Sequence, residues 1–128
     1  VGALNHWQAK GVNVAIGMDE AGINDDRDML QEMRMVLRMH RVPGMDDQVP
    51  TAPQVLRMAT VGGAKTTPYG ETIGSLEVGK GADMVLIDWD QVAYPYLDEL
   101  TPTLDAVVQR AKNQAVTMTM CDGEVIYH

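Results

Sequence analysis

Apolar side chains recur with two periods along this chain. Val12, Val14 and Ile16 alternate with Asn13 and Ala15, a period of two that predicts a short strand over 12–17. Gly17 and Met18 lead directly into Asp19, so the strand delivers a carboxylate at its C-terminal tip. Ahead of it, Ala3, Leu4, Trp7 and Ala9 form the apolar side of a helix over 1–10, with Gly11 as its stop. Gly22, Asn24, Asp25 and Asp26 are turn formers that make 20–26 a loop, and Asp26 is placed to cap the next helix. That helix is the clearest of all. Over 27–40, Leu30, Met33, Leu37 and His40 recur at steps of three and four, with Asp28, Gln31, Glu32, Arg34 and Arg38 on the other side. Pro43-Gly44 punctuates a loop over 42–50. Thr51 then caps a short helix over 52–60, whose buried side is Val55, Leu56, Met58 and Ala59. Gly62-Gly63-Ala64-Lys65 marks a place where missing side chains let a neighbour come close.

Beyond Tyr69 the pattern changes from helices to strands and turns. The stretch 68–81 is rich in glycine and turn formers, and Gly79 and Gly81 offer backbone geometry closed to other residues. Met84, Val85, Leu86 and Ile87 run without a polar break, which predicts a buried strand over 82–88. Pro95 and Pro102 make 89–100 irregular, and Leu104, Val107 and Val108 predict a short helix over 103–112. Alternation over 115–120, the pair Asp122-Gly123 and a return strand over 125–127 predict a hairpin with a two-residue turn. Two structural units follow from this shift, joined near residues 66–72. The chain contains no internal repeat and no low-complexity segment.

Charge and composition then narrow the partners. A net charge of −8 and a pI near 4.6 argue against nucleic acid and anionic membrane. No apolar run approaches a membrane span, and no secretory apolar region opens the chain. The single cysteine, Cys121, excludes an internal disulfide, fits a reducing cytoplasm and reads as a small core hydrophobe. Phe is absent while Met reaches 10, so flexible methionines are expected to fill gaps that aromatic rings usually occupy. His6, His40 and His128 form no His-x-His pair and read as structural or surface groups. The first residue is Val1 rather than Met, which reads as a cut or processed start.

The most specific phrase is Ile73-Gly-Ser-Leu-Glu-Val-Gly-Lys-Gly-Ala-Asp-Met-Val-Leu-Ile-Asp88. At Ile73, Gly74, Ser75, Leu76, Gly79, Lys80, Ala82, Asp83, Val85 and Asp88 it matches a phrase that many amidohydrolases carry. Gly17-Met18-Asp19, Met58-Ala59-Thr60 and Gly63-Ala64 match the same family, with Met18 standing where Thr is common. Over nearly its whole length the chain resembles the C-terminal part of the amidohydrolase superfamily, in the branch of cytosine-, guanine- and S-adenosylhomocysteine-deaminase-like enzymes.

That resemblance implies an α/β fold. Residues 1–68 would be the last αβ unit and following helices of a metal-dependent hydrolase TIM barrel. Residues 69–128 would be the C-terminal part of a small β-sandwich. It implies that Asp19 is both catalytic residue and metal ligand, because a carboxylate donates a hard oxygen to zinc and takes a proton from the attacking water. Asn24 would bind substrate, with a plain turn-forming role as the alternative. Lys80 has no phosphate-loop pattern around it and reads as structural. The family's cofactor would be one divalent metal, zinc or else iron. Its histidine ligands have no match here, so this chain alone is expected to bind none. The substrate would be a small heterocycle, with Asp25-Asp26 and Met45-Asp46-Asp47 as pocket walls; related members open cyclic amides or hydrolyse triazines.

Two readings of function stand side by side. In one, the parent is an enzyme that hydrolytically deaminates a nitrogen heterocycle. In the other, the chain is a catalytically inert fragment whose open strand edges drive self-assembly into a homo-oligomer.

Overall fold

A computed structural model of the protein describes residues 3–19, 27–40 and 50–128. Helix α1 (Leu4–Ala9) turns its Leu4 inward and leaves Trp7 exposed. Helix α2 (Met29–Met39) begins at Asp28, whose carboxylate accepts a hydrogen bond from the Leu30 N–H at 2.9 Å. Asp28 therefore takes the capping role expected of Asp26, which lies outside the described residues. Met33 and Leu37 form the buried stripe of α2, as their spacing requires.

Helix α3 (Ala52–Arg57) starts with a reciprocal cap. The Gln54 N–H donates to Thr51 Oγ1, and the Thr51 N–H donates to the Gln54 side chain. The helix then widens into a π-helical turn, Met58–Gly62. Gly74, at φ +92°, lies so close to this turn that a Cβ would stand 3.2 Å from the Val61 Cα, and 2.8 Å from the Ala64 Cβ just beyond it. Gly74 is thus the glycine of the family phrase that tight packing demands, while nothing comes nearer than 3.6 Å to a Cβ at Gly81.

Strand β1 (Met84–Ile87) is followed by a helix where an irregular stretch was expected. Helix α4 (Trp89–Ala93) is nucleated by Asp88, whose carboxylate accepts from the Asp90 N–H and the Gln91 side chain. Helix α5 (Thr103–Arg110) buries Ala106 and Val108 and leaves Leu104 exposed. A 3₁₀ turn (Asn113–Ala115) leads into β2 (Val116–Cys121) and β3 (Glu124–Tyr127). The sheet is antiparallel in the order β1-β2-β3. Asp122 and Gly123 join β2 to β3 with φ of 49° and 84°, the two positive values that a twisted two-residue hairpin needs.

Two expectations fail on the sheet. Val85 and Leu86 of β1 are half exposed rather than buried. Cys121 ends β2 in solvent and is not a core residue. The core lies instead among the helices. Leu4, Met33, Leu37, Ala52, Val55, Met58 and Val108 form one buried cluster, with Val14 and Ile16 packed against it. A smaller cluster of Val92, Ala106 and Ala111 adjoins it through Leu30. Full burial of a side chain such as Val55 or Val108 contributes roughly 1.5–3 kcal/mol. No described helix is long and apolar enough to cross a membrane.

Candidate active site

Residues 12–19 have no ladder partner among the described residues, so the strand expected over 12–17 is not formed as one. A strand is defined by its neighbours, and none borders this segment here. Its course is fixed by side chains and by helix carbonyls instead. Val14 and Ile16 enter the core, which preserves the inward half of the expected alternation. The Ile16 N–H donates to the Met58 carbonyl at 3.2 Å, and the Asn13 side-chain amide donates to the Gly62 carbonyl at 3.1 Å. Both acceptors belong to the π-helical turn.

From Gly17 onward the backbone leaves the core, and Gly17, Met18 and Asp19 are exposed. Asp19 is thus exposed three residues beyond the anchor at Ile16. Asn24, Asp25, Asp26 and Met45-Asp46-Asp47 lie outside the described residues. His6 on α1 and His128 are exposed, and His40 ends α2. A depression of about 150 Å³ opens beside Val12 and Asn13 and is lined further by Gln54, Arg57 and Lys65. It lies at the end of the segment away from Asp19, so it is not where that carboxylate would act.

The family phrase has its own polar lock. Lys80 Nζ donates to Ser75 Oγ at 2.6 Å and to Glu77 at 3.1 Å, and Ser75 donates to Glu77 at 2.6 Å. The Ser75 hydrogen bond, helped by Lys80, holds the Glu77 carboxyl below its usual range. Lys80 therefore closes a turn, as expected of a structural lysine. Near the hairpin, the negative charge of Asp83 pushes the Cys121 thiol above its ordinary range, with smaller contributions from burial, Asp122 and Glu124.

An amidohydrolase family profile matches residues 2–126. The chain belongs to the amidohydrolase family. This amidohydrolase chain is 35% identical over 116 residues to a 5-methylthioadenosine/S-adenosylhomocysteine deaminase of Acetivibrio thermocellus, covering 91% of the chain and 26% of that protein. It is 38% identical over 120 residues to a 5'-deoxyadenosine deaminase of Methanosarcina acetivorans, again covering 91% of the chain and 26% of the relative. Its structure superposes with a TM-score of 0.86 and 32% identity on an adenosine deaminase from Xanthomonas campestris with bound zinc, covering 97% of this chain and 28% of that one. The amidohydrolase chain spans about a quarter of the length of the curated relatives it matches.

The bound zinc of that neighbour makes the donor set here informative. Among the described residues no three His, Cys, Asp or Glu side chains converge on a common point. Zinc takes four ligands, and a carboxylate oxygen is one it accepts. The Asp19 carboxylate carries an oxygen of that kind, and the described residues supply no companions for it. Asn13 and Gly62 were not singled out with Asp19 by sequence pattern. The paired glycines at 62 and 63 were the one available signal that something comes close there.

Proposed function

We propose that this chain carries the proton-handling carboxylate of an amidohydrolase that hydrolytically deaminates a nitrogen heterocycle. Residues 1–68 would form the last αβ unit and following helices of its TIM barrel, and residues 69–128 the C-terminal part of a small β-sandwich. The observation that carries the reading is Asp19, exposed at the end of a segment pinned to the π-helical turn through Ile16. The names of relatives at 35% and 38% identity support adenosine-type heterocycles as the substrate class.

On this reading Asp19 has two tasks. Its carboxylate holds one position of a divalent ion, zinc or else iron, whose other ligands come from outside the described residues. When bound, such an ion supplies Lewis acidity. Asp19 also accepts a proton from the attacking water and passes it toward the departing amine. Asn24 would add a hydrogen bond to the substrate ring.

The test is Asp19→Asn in a full-length amidohydrolase carrying this segment. Turnover should fall by roughly 10²–10⁴-fold, the typical share of a general acid–base group. Metal content should fall only in part, since an amide oxygen still donates. Full turnover with metal bound would refute the assignment.

A further inference from the structure

Resting on the reading of Asp19 as the reacting acid, we infer that Gly62 and Asn13 are positioning residues that set where Asp19 stands. On its helix side the segment that carries Asp19 is held by the contacts it makes with residues 58–62. Three of these are specific. The Ile16 N–H meets the Met58 carbonyl, the Asn13 amide meets the Gly62 carbonyl, and the Val14 carbonyl oxygen occupies the space where a Gly62 Cβ would stand. Residue 13 meets residue 62 and residue 16 meets residue 58, so the segment and the turn run in opposite directions. A π-helical turn carries one more residue than an α-helical turn and shifts its carbonyls out of the regular ladder. Here the carbonyls at its two ends, Met58 and Gly62, are the ones that accept from the segment.

Glycine at 62 is required by space. A Cβ there would stand 2.7 Å from the Val14 carbonyl oxygen and 3.1 Å from that of Arg57. Both are backbone atoms and cannot rotate aside. Relief to an ordinary contact at 3.4 Å moves Val14 by about 0.7 Å. Asp19 lies five residues further along the same pinned segment. Displacements near 1 Å at a reacting group cost on the order of 10²-fold in rate. Gly63 provides the contrast, because a Cβ there meets nothing closer than the Met58 carbonyl at 3.8 Å.

The experiment compares Gly62→Ala, Gly63→Ala, Asn13→Asp and Asn13→Gln with Asp19→Asn in a full-length amidohydrolase carrying this segment. Gly62→Ala should lower kcat by roughly 10–100-fold with KM changed less than about threefold. Gly63→Ala should match the parent. Asn13→Asp removes the donor and should lower kcat, while Asn13→Gln keeps an amide donor and should recover part of it. Amide hydrogen exchange gives a second readout that does not depend on turnover. The peptide over 12–19 should exchange faster in Gly62→Ala and Asn13→Asp than in the parent. If Asp19→Asn inactivates while Gly62→Ala and Asn13→Asp retain full kcat and unchanged exchange, the positioning role falls and the assignment of Asp19 survives. If Asp19→Asn keeps full turnover, the assignment of Asp19 falls first. Should Gly62→Ala fail to fold, Asn13→Asp with its exchange profile decides the matter alone.

Discussion

Replacing Asp28 tests how the start of α2 is held. Its side chain is 8% exposed, accepts the Leu30 N–H and faces Arg34 at 3.7 Å. Arg34 also donates to the Ala111 carbonyl, so α2 is tied through this pair to the end of α5. Loss of an N-cap costs about 1 kcal/mol. Breaking a fully buried ion pair costs about 3–5 kcal/mol. The pair here is long, Arg34 keeps a carbonyl partner, and its side chain retains 16% exposure, so about 1–2 kcal/mol is the appropriate share. Asp28→Ala should therefore destabilise by roughly 2–3 kcal/mol. Asp28→Asn keeps a good capping oxygen and loses only the charge, so it should cost about half as much. Urea unfolding at equilibrium measures both, read as a shift in midpoint at constant slope. Equal midpoints for Asp28→Asn and Asp28→Ala would remove the cap from the account, since both variants lack the charge. Both variants lying within about 0.5 kcal/mol of the parent would remove the ion pair as well.

Two more outcomes can be read on the same material. The thiol of Cys121 is raised chiefly by Asp83, so its thiolate is scarce at neutral pH and iodoacetamide should label it slowly there, faster as pH rises. Asp83→Asn keeps an oxygen for the Asp122 N–H, which now donates to Asp83 at 2.7 Å, and should speed labelling at pH 7; an unchanged rate would show that the charge is not the cause. Thr51→Ala removes one half of the reciprocal cap on α3 and should destabilise by about 1 kcal/mol, measured by the same urea titration.

Features that depend on a few adjacent residues were legible in the sequence. The Asp122-Gly123 turn and the Thr51 cap formed where the pattern placed them, because each is closed by bonds within four residues. Helix α4 was equally local, but Pro95 and Pro102 masked the capping signal of Asp88. What the pattern could not reach was pairing between distant segments. The alternation of Val12, Val14 and Ile16 states which side chains turn inward, and two of the three do pack on the core. It cannot state what lies beside the backbone, and here the π-helical turn takes that place. The run Met84–Ile87 is apolar throughout, yet burial needs a second layer, and a run of residues does not report one. Asp19 follows the Val12–Ile16 alternation directly, and the structure leaves it exposed there. Asn13 and Gly62 stand 49 residues apart in the sequence, and only the folded backbone puts them in contact.

Leu4 and Val108 lie near opposite ends of the chain and share one buried cluster. A ribosome releases them in that order. When α1, α2 and α3 have emerged, the place in the cluster that Val108 fills is still open. Synthesis at about 5–20 residues per second leaves that surface bare for a few seconds before α5 arrives. A translational pause ahead of α5 would lengthen that exposure.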